Sequence, residues 1–226
     1  YESDYQFAKA PNPPKVTAVP GDGKVTLYWD RSAESTQDKY MGNITNGADL
    51  YDFEGYKIYR ATDFEFNDAY NITDGDGNPT FLEPYVQNGV RAQWDLVDGK
   101  SGWHPVDLNG IKFYLGDDTG LTHSYVDHNV VNGQRYYYAV VSYDYGGDLS
   151  NNIIPSDSPM KLRVNPLTGA VSLGPNVVEV VPSPPSAGFV DASFAGDQVD
   201  HVLGASSGEV FLEIVDPQMV KDARTY

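Results

Sequence analysis

Tyr136-Tyr137-Tyr138-Ala139-Val140-Val141-Ser142-Tyr143 is a nearly unbroken run of β-prone residues. A strand wetted on one face would alternate polar and apolar positions. This run does not, so it predicts a central strand covered on both faces. Working outward, Asn132-Gly133 is a turn signal just before it, and His123-Ser124-Tyr125-Val126-Asp127 and residues 111–115 extend the β pattern upstream. Glu54-Gly55-Tyr56-Lys57-Ile58-Tyr59-Arg60 reads as another strand, with Tyr56 and Ile58 on one face and Lys57 and Tyr59 on the other. Lys15-Val16-Thr17-Ala18-Val19 and Lys24-Val25-Thr26-Leu27-Tyr28-Trp29 flank Pro20-Gly21-Asp22-Gly23, whose Asp-Gly pair supplies the positive φ angles of a hairpin turn. Val25, Leu27 and Trp29 share a face, and Trp29 is the expected core anchor. Residues 160–164 are the expected closing strand.

Seventeen tyrosines, 22 glycines and 15 prolines in 226 residues favour strands joined by tight turns. Alanine and leucine never form a long run of helical period, so the chain is expected to be all-β. No run of about 18 apolar residues offers a membrane span. The 32 acidic against 15 basic side chains leave a net charge of −17. That charge repels phosphate backbones and argues against nucleic acid as a partner; it suits cation binding, or solubility outside a cell. The lack of cysteine fits an exported bacterial protein or a cytosolic one. With Tyr1 first, no methionine or signal peptide, and Tyr226 directly after a polar turn, the chain is expected to be a processed or excerpted part of a longer precursor.

Residues 1–10 read as an N-terminal arm, and Pro11-Asn12-Pro13-Pro14 as a stiff entry. Residues 61–109 form a long insertion with turn clusters at 74–79 and 98–102 and one strand candidate at 92–97. A stretch of that length is functional or folded in its own right. Residues 165–226 change texture, with short strands at 177–181 and 209–215, a rigid Pro182-Ser183-Pro184-Pro185 connector and a helical turn at Asp216-Pro217. Two or three strands are too few to close a core, so this Pro-containing C-terminal β segment is expected to be incomplete alone and to need a partner.

Pro13-Pro14-Lys15-Val16-Thr17, Val25-Thr26-Leu27-Tyr28-Trp29 and Gly55-Tyr56-Lys57-Ile58-Tyr59-Arg60 together resemble the first half of a fibronectin type III domain. Tyr125-Val126-Asp127, Asn132-Gly133 and Tyr136-Tyr137-Tyr138-Ala139-Val140 resemble its second half, and Tyr143-Asp144, Gly147-Asp148 and Pro155-Ser156 its closing loop. The resemblance covers residues 11–164, interrupted by the insertion. It implies a fibronectin type III/immunoglobulin-like β-sandwich serving as a scaffold or binding module. The whole chain is similar to modules of large exported surface proteins from bacteria related to the Bacteroidetes.

Among polar clusters, Asp74-Gly75-Asp76-Gly77-Asn78-Pro79, preceded by Asp68 and followed by Glu83, is the candidate metal site. Alternating oxygen ligands separated by glycines suit a hard cation such as Ca²⁺. The twelfth position of the loop is Tyr85 rather than a bidentate Glu, and an ordinary Asp/Gly/Asn turn uses the same letters. A second acidic group, Asp144, Asp148, Asn151 and Asp157 with Asp117, Asp118 and Asp127 nearby, reads as solvated turn residues. Gly204-Ala205-Ser206-Ser207-Gly208 has the spacing of a hydrolase elbow, but a strand follows it where the elbow needs a helix. His104, His123, His128 and His201 have no metal-type spacing. Trp94 and Trp103, with Tyr85 and His104, either form a sugar-stacking platform or anchor the insertion as a small satellite core.

No residue pattern points to an enzyme. The expected function is a non-catalytic, extracellular structural or adhesive module of a larger cell-surface or self-assembling protein, a fibre or layer stabilised by calcium. Its expected partners are other copies of itself or neighbouring domains of the same precursor, joined by strand exchange. The alternative is a carbohydrate-binding accessory domain of a secreted hydrolase, with a glycan as ligand.

Overall fold

Asp22 and Gly23 turn the chain between its first two strands, with Gly23 at φ 61° and Asp22 not at positive φ, so the pair supplies one of the positive angles expected of it. The structure is a computed structural model that describes residues 7–69, 71–190, 192 and 213–220. In chain order its strands are β1 (Val16–Gly21), β2 (Lys24–Trp29), β3 (Phe53–Ala61), β4 (Asn71–Thr73), β5 (Pro79–Leu82), β6 (Val86–Gln87), β7 (Val90–Arg91) and β8 (Gln93–Asp95). They continue with β9 (Trp103–Leu108), β10 (Ile111–Tyr114), β11 (Ser124–Asp127), β12 (Tyr136–Asp144), β13 (Leu162–Val164), β14 (Val171–Leu173) and β15 (Val177–Val180). One short helix, α1 (Lys39–Ile44), is capped by Asp38, whose carboxylate accepts from the Tyr40 and Met41 amides.

The chain is all-β, built from several antiparallel sheets. β1, β2 and β11 form a three-stranded sheet; β15, β12, β3 and β8 form a four-stranded one. The pairs β4–β5, β6–β7, β9–β10 and β13–β14 are separate two-stranded ribbons. Val16, Val25, Leu27 and Trp29 of the first sheet meet Tyr56, Ile58, Tyr138 and Val140 of the second in one apolar cluster. Trp29 is 5% exposed and packs edge-on against Tyr56 at 5.9 Å.

All nine residues of β12 are buried, as its unalternating sequence predicts. Tyr137, Ala139 and Val141 face away from Trp29 into a second cluster with Tyr59, Ala61, Phe66 and Val177. Phe64, Leu82, Met160 and Leu173 pack over that cluster. Phe113 and Leu115 close over Tyr143 at the end of the strand. Both faces of the four-stranded sheet are therefore covered, the second by side chains from the segment expected as an insertion and from the β13–β14 ribbon.

Two strand expectations are corrected. Residues 160–164, expected to close the sandwich, supply β13, which among the described residues pairs with β14 alone. The position beside β12 belongs to β15, expected in the dependent C-terminal segment, in the register Tyr136↔Val180 to Ala139↔Val177. Asn176 fixes this choice: its side-chain amide donates to the carbonyls of Val140 and Pro159, and its carbonyl accepts from the Val140 amide. The strand expected at 209–215 lies outside the described residues over 209–212, and residues 213–215 form no strand. Residues 1–6 of the N-terminal arm, Gly204 to Gly208 and His201 also lie outside them. From Lys9 to Asn12 the chain is tied back on itself, the Lys9 amide donating to Asp38 and the Asn12 amide to Thr36. The chain divides into two units, Tyr1–Ser183 and Pro184–Tyr226. In the second, Pro217–Met219 forms a single 3-10 turn where a helical turn was expected.

The sheets of the first unit are also joined by buried polar groups. Asp127, at the end of β11, is fully buried and accepts from Arg60 at 2.9 Å, Tyr138 at 2.7 Å and Tyr85 at 3.2 Å. Lys57 lies on the other face of β3, its ammonium 3.1 Å from Asp157 and 3.5 Å from the Phe113 ring centre. Gln87 covers the free edge of β11: its amide donates to the Val126 carbonyl and accepts from the His128 amide.

Candidate functional site

Asn88 and Gly89 join β6 to β7 in two residues, with φ 55° and 82°. Positive φ at both central positions is the signature of a type I′ turn, for which Asn-Gly is the preferred pair. The hairpin forms one wall of a cleft of about 520 Å³; β8, Tyr125 of β11 and the loop following β10 form the others. Trp94 of β8 and Tyr125 meet edge to face at 5.5 Å, and behind them Trp94 lies 5.8 Å from Trp29. The cleft wall is thus an outward extension of the main core.

The opposite wall is polar and tightly held. Arg91 donates from Nε to Glu83 at 2.7 Å and lies 5.1 Å from the ring centre of Tyr114. The Tyr114 hydroxyl donates to Asp117. Gln93 fixes the loop beneath by donating to the carbonyls of Tyr114 and Leu115 at 3.0 and 2.8 Å. Asp95 holds the next turn, accepting from the amides of Asp118 and Thr119. The Tyr125 hydroxyl is buried without a hydrogen-bond partner among the described residues, and burial pushes its pKa above the ordinary tyrosine value.

The five residues expected to bind calcium have different hydrogen-bond partners. Asp74 closes its own turn, accepting from the amides of Asp76 and Asn78 and from the Asn78 side chain. The Asn78 amide is the main reason its carboxyl sits below the usual range. Asp76 and Asn78 are exposed on that turn. Asp68 instead accepts from the amide and hydroxyl of Thr62, and Glu83 is taken by Arg91. Asp74, Asp76 and Asn78 are adjacent; Asp68 and Glu83 serve other turns. No group of three or more His, Asp or Glu side chains able to hold a metal is present among the described residues.

The second acidic group is solvated only in part: Asp117 and Asp148 are exposed in loops as expected, whereas two other members are not. Asp127 and Asp144 are buried, at 0% and 3% exposure. Asp144 accepts from Ser156 and from the Gly146 amide, yet burial outweighs these bonds and pushes its pKa up to about 7. Burial likewise raises Asp52, beside Asp144 and Asp38, to about 8. It raises Glu54, whose carboxylate has no hydrogen-bond partner among the described residues, to about 8, with Asp98 adding to the effect and Lys100 opposing it.

The aromatic platform divides. Trp94 and Tyr85 pack against the main core, and His104 is buried with Nε2 2.7 Å from the Gly147 carbonyl. Trp103 is 59% exposed and leans on Tyr114 from outside the cleft. Sequence reading missed Asn88, Arg91, Tyr114 and Tyr125 as wall residues. Asn88-Gly89 between Val86-Gln87 and Val90-Arg91 was a legible hairpin signal for the first two. Comparison with protein-family models, curated proteins and solved structures finds no match.

Proposed function

We propose that the chain is a non-catalytic, extracellular structural or adhesive module, with its two main sheets arranged as a fibronectin type III-like sandwich. The observation that carries this reading is the strand order: β1-β2-β11 against β15-β12-β3-β8, with Trp29 in the shared core. An acidic surface and a chain without cysteine support display outside a bacterial cell. A sheet buried on both faces gives a stiff body from which loops are presented at fixed positions. In this reading the module is one of several in a surface protein, and its neighbours are copies of itself or adjoining domains.

Antibody labelling of intact source cells tests the location; labelling that requires permeabilised cells would overturn it. Sedimentation velocity across a wide concentration range tests association with other copies. A compact monomer throughout would remove the fibre or layer from the proposal and leave the scaffold role.

A further inference from the structure

We propose that the cleft between the β6–β7 turn, β8 and the loop after β10 binds a segment of neutral oligosaccharide. The rings would lie against Trp94, Tyr125 and Tyr114, and the hydroxyls would meet Asp117, Asn88 and Arg91. This rests on the cleft itself and is independent of the fibronectin-type reading of the sheets.

Size comes first. At about 520 Å³ the cleft falls within the roughly 300–1,000 Å³ of small-molecule sites. Its chemistry is mixed in a way that selects a class. Three aromatic side chains offer apolar faces, and an amide, a carboxylate and a guanidinium lie among them. A sugar ring has the complementary character, with an apolar C–H face and a rim of hydroxyls that both donate and accept. A purely apolar ligand would cover the remaining free donors and acceptors of Asn88, Asp117 and Arg91 without replacing their water, at about 1–3 kcal/mol for each group buried.

The polar wall is also already in place. Arg91 is braced by Glu83 and the Tyr114 ring, Tyr114 by Asp117, and the loop carbonyls by Gln93. Little side-chain freedom remains to be lost on binding.

Charge sets the remaining choice. Among the described residues lining the cleft, Arg91 is the one cation, and Glu83 already neutralises it. Asp117 lies in the wall, and the whole chain carries −17. Uronate-rich or sulfated glycans would be repelled. A neutral glycan meets no such field.

The test is isothermal titration of the full chain with cellohexaose, xylohexaose, mannohexaose and maltohexaose, with oligogalacturonate as the anionic comparison. At least one neutral probe is expected to bind, and the anionic one is not. Tyr114→Ala and Asp117→Ala are expected to weaken that binding by about tenfold or more, or 1.4 kcal/mol per factor of ten. Asp117 is exposed, so Asp117→Ala should keep the wild-type melting temperature even if Tyr114→Ala disturbs the fold. Trp103→Ala, outside the cleft, should bind as wild type. The proposal is overturned if no neutral probe binds or if the anionic probe binds in preference. It is equally overturned if both cleft variants bind normally or if Trp103→Ala alone abolishes binding.

Discussion

The two faces of the four-stranded sheet are buried by different means. On the inner face, Tyr56, Ile58, Tyr138 and Val140 meet an opposing sheet whose Val25, Leu27 and Trp29 recur at every second residue. On the outer face, Tyr59, Val141 and Tyr143 are covered by Phe64, Phe66, Leu82, Phe113, Met160 and Leu173, drawn from turns and short ribbons. The outer cover also contains a charge, Lys57, paired with Asp157 beneath Phe113. Both faces bury an ion pair, Arg60–Asp127 on the inner side and Lys57–Asp157 on the outer; what differs is the cover, a regular sheet on one side and turns and ribbons on the other.

The largest effect should come from the inner face. Trp29→Ala is expected to destabilise by about 3–5 kcal/mol in chemical denaturation, as for large aromatic truncations in a packed core. A loss below about 1 kcal/mol would mean that the two sheets do not share this core. Asp127→Ala should come close behind at about 3 kcal/mol or more, because it leaves the Arg60 guanidinium half-buried without its carboxylate.

The outer face has a sharper signature. Lys57→Ala should cost about 3 kcal/mol by leaving Asp157 unpaired, whereas Lys57→Met combined with Asp157→Asn, which removes both charges, keeps the volume and leaves Tyr59 an acceptor, should cost much less. If the double variant is as damaged as Lys57→Ala, the ion pair rather than the packing holds this side.

Acidity probes the rim common to both faces. Asp52, Glu54 and Asp144 have folded-state pKa values raised to about 8, 8 and 7, so between pH 4 and 8 the folded chain holds more protons than the unfolded one. Their contribution is fully present below the unfolded values and is lost as pH rises through the folded ones. Melting should therefore be several degrees higher near pH 5 than near pH 8.5, and Glu54→Gln should flatten that slope. The smallest effect is expected at Asp74, whose turn is closed by its own amides. Chelator should leave the melt unchanged if Asp74 serves only its own turn, and a clear downward shift would support the calcium expectation.

What the sequence disclosed follows the same division. Alternation in β2 and β3 made the inner face readable, and its loss in Tyr136-Tyr137-Tyr138 announced that a second cover exists. Nothing in that stretch names the cover, because Phe64, Phe113 and Leu173 reach it from turns without periodicity. Residues 160–164 and 177–181 are similarly β-prone, and Asn176, a single polar residue, decides which lies beside β12. The Asp74 turn and a cation loop share their letters, so spacing could not separate them. Asp127 looked like any acidic strand end until Arg60 and Tyr138 were seen to converge on it. The cleft escaped because its wall residues come from five strands, a turn and a loop that are scattered along the chain.

Gln87 carries a consequence for assembly. A bare strand margin invites docking by a foreign strand, and Gln87 occupies Val126 and His128 as such a strand would. Growth of the three-stranded sheet past β11 must first evict this amide, so copies of the chain that associate by adding strands have to do so through another margin.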